Sequence, residues 1–319
     1  MASLFDFLPM VVAQNLGPQR LKRTPEPNPV TDSPQVVDQY NQAMMTGLSI
    51  LYAIGLEVIY RARPEGNGAG SALDLACGPG HFTFLLAHHL GYEQVAGIDL
   101  SAPMIRSATQ NAKAQGIEPR VKFHLGDITR LDLLVKEAVD LTCFTQAAHH
   151  MPDLPTVAKV LREMDRITKP EGLILVMDLH RLRTAHLTER FVSTVGRDYI
   201  QQGLREFLDD FHHSMYAAWT AQELRSTLPP ESHRWWCHCV PLGLPTIQII
   251  LGLPAGRKRT FIRPSLSTKG HPQIPEWFPR WEQGLPPRRA RETLREWQLA
   301  RWSLFAGLKR LIPPGSKAL

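Results

Sequence analysis

Ala72-Leu-Asp-Leu-Ala-Cys-Gly-Pro-Gly80, followed about twenty residues on by Val95-Ala-Gly-Ile-Asp99, decides the fold of this chain. An apolar strand runs into a glycine turn, a helix follows, and a second apolar strand ends on a carboxylate. That order is the nucleotide-binding half of an open α/β sheet, with the ligand lying across the carboxyl ends of the strands. Gly78 and Gly80 supply the tight turn and the close backbone approach. Thr83 stands where a dinucleotide fingerprint has its third glycine. Asp74 separates the cofactors further. A carboxylate just before the turn repels a pyrophosphate and attracts the ammonium and sulfonium of S-adenosylmethionine (SAM). Asp99 is placed to accept the ribose hydroxyls, which either cofactor needs. The reading is a SAM site.

Later segments fall where such a sheet requires them. Val121–Asp127 reads as a third strand ending in Gly-Asp, with Asp127 positioned for the adenine amino group. Residues 139–145 form a fourth strand, and 146–153 the loop at its end. Residues 157–167 place Val157, Val160, Leu161, Met164 and Ile167 at helical spacing. Residues 169–172 read as a turn and 173–179 as a buried fifth strand. The candidate cofactor residues are Asp74, Ala76, Gly78, Gly80, Asp99, Leu100, Asp127, Ile128 and Gln146.

Over about residues 37–253 these motifs resemble the class I SAM-dependent methyltransferases, most closely the ubiquinone and menaquinone C-methyltransferases. The likeness rests on Asp74-x-Ala-x-Gly-x-Gly80, Asp99, Gly126-Asp127 and His149-His150-x-x-Asp153, in order and at consistent spacing. Ala76 stands where that family has its first glycine, and its methyl group would shift the methionine end of the cofactor slightly. The resemblance implies an α/β fold: a Rossmann-like seven-stranded sheet with helices on both faces. To it this chain adds a helical insertion after strand 5 and a basic C-terminal extension.

The 319 residues, 43% apolar, suffice for a full core with additions. Four cysteines give no secreted disulfide framework, and Cys237-His-Cys239 is the wrong ligand set for a closed zinc site, so no metal is expected. No apolar run approaches a bilayer span, and the first residues lack the basic start of a secretory signal, so the expected location is cytoplasmic. Residues 254–319 hold 14 of the 36 Lys/Arg but only 4 of the 30 Asp/Glu, so the whole positive excess lies in the tail.

Four parts follow: an extended, proline-rich arm at 1–36; a helical leader at 37–62, broken near Gly47; the core; and the tail at 254–319. Residues 180–227 form an unusually long insertion with helical patterns at 188–196, 198–211 and 214–228, a lid candidate over the methyl donor. Residues 235–240 and 246–251 complete the sheet as a hairpin. In the tail, 288–312 reads as a basic amphipathic helix. It is suited either to a membrane interface, giving peripheral membrane association, or to packing on its own domain or a second subunit, and packing is the favoured reading.

Methyl transfer needs donor and acceptor in line, and a base only when the acceptor must lose a proton. His149 and His150 sit beside the expected methyl position with a suitable ordinary pKa, although a loop-shaping role is the competing reading. Tyr40 in the leader, His180 after the fifth strand, and His212, His213 and Tyr216 in the insertion are candidate substrate contacts. The Thr145-Gln-Ala-Ala-His149 loop lacks the Pro-Pro-aromatic grip of base-methylating enzymes, so nucleic acid is disfavoured despite the basic tail. The expected activity is SAM-dependent methylation of a small hydrophobic or aromatic molecule at oxygen, carbon or sulfur. The alternative is a SAM-binding regulatory or scaffold protein without turnover.

Overall fold

The two strands of the opening motif, β1 (Ser71–Leu75) and β2 (Gln94–Asp99), lie side by side in parallel with Leu75 opposite Ile98. The computed structural model describes residues 4–28, 30, 33–44, 49–62, 70–131, 134–241, 244–255 and 309–310. Five further strands are β3 (Val121–Leu125), β4 (Val139–Thr145), β5 (Thr168–Leu179), β6 (Trp235–Cys239) and β7 (Ile247–Leu253). The order is β3-β2-β1-β4-β5-β7-β6, and a two-residue strand β8 (Lys309–Arg310) pairs beyond β6. Strands β1 to β5 are parallel, and β7 runs antiparallel to both β5 and β6. Leu75 pairs with Phe144, and Phe144 with Val176, so the carboxyl ends of the central strands end nearly level. Chain order reverses between β1 and β4, which opens the crevice where such sheets bind ligands.

Helices cover both faces. Along β5, Leu173, Leu175 and Met177 join one apolar cluster and Ile174 and Val176 the other, as strand alternation requires. The first cluster takes α3 (Ser49–Ala62) and α4 (His81–His89). The second takes α6 (Leu154–Ile167), whose buried residues are Val157, Val160, Leu161, Met164 and Ile167. Each such side chain contributes about 1.5–3 kcal/mol of burial. Asp153 caps α6 by accepting from Thr156 N at 2.8 Å, and Ser101 caps α5 (Ala102–Gln115) in the same way.

The insertion builds a third cluster from α7 (Ala185–Gln201) and α8 (Arg205–Ala217), joined by Met10 of α1 (Leu4–Leu16) and Ala43 of α2 (Pro34–Met44). A short α9 (Ala221–Ser226) follows, held by a capping box between Thr220 and Glu223.

Several expectations are corrected. The arm is not extended throughout, since Leu4–Leu16 is helical. The break expected after Gly196 falls at Gly203, which takes φ +77°. Gly196 instead lets α8 approach, because a Cβ there would lie 2.7 Å from Leu208 Cδ2. Residues 169–172, read as a turn, fall inside the bounds of β5 but pair with nothing in β4: the register passes from Val139 opposite Thr168 to Leu141 opposite Leu173, so they form an irregularity in the strand. The helix expected over 288–312 lies outside the described residues, except that Lys309–Arg310 is extended and pairs with His238 and Cys237. The open edge of β6 supplies the backbone groups for that pairing. No helix among the described residues is long and apolar enough to cross a membrane.

Candidate functional site

At the carboxyl end of β1 the backbone turns through left-handed positions at Ala76 (φ 54°), Gly78 (φ 53°) and Gly80 (φ 84°). Ala76 therefore carries a backbone conformation that glycine adopts more cheaply. Asp99 fastens the turn. Its Oδ2 accepts from Gly78 N and its Oδ1 from Ser101 N, both at 2.8 Å. Asp74 is buried behind the turn, with Oδ2 accepting from Thr83 Oγ1 at 2.7 Å and Oδ1 left without a partner. Burial, helped by the charge of Asp99, lifts the Asp74 carboxyl to about 7. Thr83 thus does more than replace a glycine, since it supplies the hydroxyl that fixes this carboxylate. His81 Nε2 bonds Asn41 Oδ1 at 2.8 Å and ties the leader helix α2 to the turn.

A Cβ at Gly78 would meet nothing within 4 Å, whereas one at Gly80 would lie 2.6 Å from Phe123 Cζ. Gly80→Ala is therefore expected to cost about 1–3 kcal/mol from overpacking, besides the penalty of a left-handed alanine, and to distort the turn. Urea denaturation with parallel SAM titration checks both effects.

Leu100 is exposed and Ile128 buried beside this turn. Asp127 is half exposed and accepts from Thr129 N at 2.8 Å. Gln146, after β4, also takes a left-handed φ of 53°. Its N donates to Met177 O, while its side-chain Nε2 is buried without a partner at the wall of a cleft.

That cleft, about 450 Å³ including its open mouth, lies between the leader helices, the strand ends and α8. Tyr40, Met44, Leu51 and Tyr52 form one wall, and Phe207, Asp210, Phe211 and Ser214 another, with Gln146, His149, His150 and Leu179 at the base. Burial pushes the Tyr40 hydroxyl up to about 12.

His149 is buried on a 3₁₀ turn (Ala148–His150), with Nδ1 2.6 Å from Asp178 Oδ1. The carboxylate accepts the ring N–H, and Nε2 is the ring's second nitrogen. Glu26, from the arm, brings Oε1 to 3.8 Å from that Nε2. Its other oxygen hydrogen-bonds His150 Nδ1, and it accepts from Ser214 Oγ at 2.6 Å. Burial disfavours the charged His149 ring, but Asp178 and Glu26 outweigh it and raise the pKa. Burial likewise opposes charge on Glu26, yet the two histidines and Ser214 hold its carboxyl down at about 2. Asp210 is pushed up by burial and by the charge of Glu26. Although no metal was expected, Glu26, His149 and His150 bring one ligand-capable atom each within 4.8 Å of the others. Because Glu26 bonds His150 directly and Asp178 bonds His149, we read the cluster as an ion-pair network.

The structure brings Tyr40, Gln146, His149 and His150 together at the cleft and leaves the other candidate contacts outside its lining. His180 bonds Pro245 O through Nδ1 at 2.9 Å and bridges to Trp219. On α8, His212 and Tyr216 both bond Glu189 Oε1, and His213 is exposed. The helix turns its 207, 210, 211 and 214 positions to the cleft, which puts 212, 213 and 216 elsewhere on its circumference. Glu26 and Asp178 escaped the sequence reading. Asp178 had a signal, as the one charged residue in the apolar run 173–179. Glu26, in a proline-rich arm, had none.

Residues 67–210 match the family model described as a methyltransferase domain. A "2-phytyl-1,4-naphtoquinone methyltransferase" of Synechococcus elongatus is 30% identical over 148 residues, covering 46% of this chain and 60% of that protein. A "Demethylmenaquinone methyltransferase" of Geobacillus stearothermophilus is 33% identical over 108 residues, covering 34% and 44%. The chain spans about half the length of the curated relatives it matches. Among solved structures, a SAM-dependent methyltransferase from Aquifex aeolicus aligns with a TM-score of 0.45 at 15% identity, covering 70% of this chain and all of that one. The chain resembles the class I SAM-dependent methyltransferases, in particular those acting on quinones.

Proposed function

We propose that this chain is a SAM-dependent methyltransferase acting on a small, hydrophobic or aromatic molecule through an oxygen, carbon or sulfur acceptor. One observation carries the reading. A buried His149–Asp178 pair faces an aromatic-walled cleft at the same strand ends as the Asp74–Gly80 turn.

The residues at the turn fit the cofactor. Asp74 Oδ1 is an orphaned buried acceptor suited to an ammonium, and Gly78 leaves open space for close approach. Each Asp99 oxygen keeps a lone pair for a ribose hydroxyl. Ala76, Gly80, Leu100, Asp127, Ile128 and Gln146 complete the cofactor-holding set. When bound, SAM supplies a methyl carbon activated by its sulfonium, and the electron pair of the broken C–S bond stays on sulfur. Tyr40, Tyr52, Phe207 and Phe211 hold a flat acceptor and exclude water, which favours in-line geometry. His149 Nε2 takes the proton the acceptor loses, and Asp178 fixes the ring and stabilises the imidazolium. His150 borders the same end of the cleft.

Incubation with methyl-labelled SAM and a metabolite extract, with a panel of hydroquinones and phenols alongside, tests the reading. A labelled product one methylene heavier than its precursor is expected. Tight SAM binding with no product from any acceptor would favour the regulatory alternative.

Binding should also depend on pH. With its carboxyl raised to about 7, Asp74 is largely protonated in the free protein below that pH. The cofactor ammonium favours the ionised form, so affinity for S-adenosylhomocysteine should rise with pH through about 7 and then level off. Binding near the midpoint should release protons. In the free chain the same shift opposes folding, with stability declining as pH rises from about 4 toward 7. Calorimetry in buffers of different ionisation enthalpy measures the proton release, which Asp74→Asn should abolish while weakening binding.

A further inference from the structure

Residues 19–26 lie outside the matched methyltransferase region, yet they bring a carboxylate to the two histidines at the base of the cleft. The segment is pinned along its length. Gln19 Nε2 donates to Leu182 O at 3.1 Å, Arg20 N and Leu21 N both donate to Arg183 O, and Thr24 N donates to Tyr216 O. Arg23 is the strongest fastening. Its Nε donates to Ala217 O at 2.7 Å, Nη1 to Pro152 O at 3.0 Å, and Nη2 to His149 O and Met151 O. The guanidinium also lies 3.7 Å over the ring of Trp219, whose Nε1 donates to Ala148 O at 2.8 Å. One side chain therefore joins the His149 turn to the end of α8, using the planar fork that lysine lacks. Three residues on, Glu26 reaches His150 and Ser214 and faces His149 Nε2.

We propose that residues 19–26 form an active-site strap latched by Arg23, and that Glu26 is a positioning residue acting through His149. The role rests on the methyltransferase reading above. A proton received at Nε2 leaves an imidazolium between two carboxylates, Asp178 on the Nδ1 side and Glu26 on the other. Asp178 alone would stabilise one end of the ring. Glu26 supplies the second charge and, through Ser214 of α8, holds the insertion against the turn. The charged groups around His149 are Asp178 from β5, Glu26 and Arg23 from the strap, Asp210 from α8 and His150 from its own turn. Latch and carboxylate form one device, because an unlatched strap cannot hold Glu26 in place.

Histidine-labelled NMR titration of the full-length protein tests the strap without an acceptor. In Glu26→Gln the His149 midpoint should fall by about one unit or more, the size of effect from losing a nearby opposite charge. Arg23→Ala should produce a similar fall while Glu26 is still present. The double variant should fall no further than either single one, the non-additivity of a coupled unit. Glu26→Asp should recover part of the shift. Circular dichroism and S-adenosylhomocysteine titration establish that each variant is folded.

An unchanged His149 midpoint in folded Glu26→Gln, or additive falls in the double variant, would overturn the proposal. So would stoichiometric zinc in the purified protein, or loss of the His149 titration on adding Zn²⁺, since Glu26 would then be a metal ligand. If the NMR result holds but the wild type turns over no acceptor, the methyltransferase reading fails and the strap stands. If wild-type turnover is found, Glu26→Gln should lower kcat more than it raises KM.

Discussion

His149→Ala is expected to lower methyl transfer by about 10²–10⁴-fold, the usual contribution of a positioned general base. Affinity for S-adenosylhomocysteine should stay within a few-fold, because the cofactor turn is fastened by Asp99 and Thr83 and not by this ring. Asp178→Asn should approach the same loss with the ring still present. An amide at 2.6 Å from Nδ1 can hold the wrong tautomer, and it removes the charge that stabilises the imidazolium. The pH profile has a definite sign. Because Asp178 and Glu26 raise the His149 pKa against the effect of burial, the neutral base is populated only above that raised value, and activity should climb with pH through it. The stability contribution runs the other way, being complete below the unfolded pKa and lost as pH rises through the folded one. Single-turnover rates with labelled SAM against pH, on wild type and both variants, measure the effect. A rate unaffected in His149→Ala would assign the pair to shaping the loop.

Arg234→Ala should be the most damaging substitution for the fold, at about 3–5 kcal/mol, the range for breaking a buried ion pair. The side chain is 6% exposed and bonds Asp165 Oδ1 at 2.8 Å through Nε. Its Nη1 donates to Gly172 O, and its Nη2 to Thr168 O and Lys169 O. Removing it leaves carbonyls at the start of β5 and a carboxylate on α6 without their donor. Arg234→Lys should recover little, since an ammonium cannot span this planar set. Chemical denaturation of the two variants reads the result, and a loss below about 1 kcal/mol would mean that water replaces the guanidinium readily. The same contacts hold the irregular stretch 169–172, which the β4–β5 register skips. The Pro-Glu-Gly sequence reads locally as a turn, and a distant arginine supplies donors to the carbonyls of Thr168, Lys169 and Gly172 around it.

The candidate site was legible where one strand end carries the chemistry. Asp74, Gly78, Gly80 and Asp99 fall at the spacings of a strand-turn-helix-strand unit, and the structure gathers them at one turn. The insertion candidates lie outside the cleft lining because composition does not orient a helix. His212, His213 and Tyr216 were the candidate substrate contacts there, yet the apolar contacts of Phe207 and Phe211 decide which face of α8 meets the cleft. His180 looked like a strand-end ligand, but backbone pairing to Trp219 and Thr246 turns that position into the sheet extension.

The sequence by itself determined the α/β class, the glycine turn with its two acidic partners, the faces of α6 and the antiparallel close of the sheet. Each of these is periodic or local, so neighbouring residues carry the whole signal. Only the tertiary structure decided that Thr83 holds Asp74, that Asp178 orients His149, and that Glu26 faces His149 from 123 residues before it. Those partners belong to different elements, and no spacing encodes them. A buried charge must find its counter-charge or hydrogen bonds when water is removed, and which group answers is settled by packing in three dimensions.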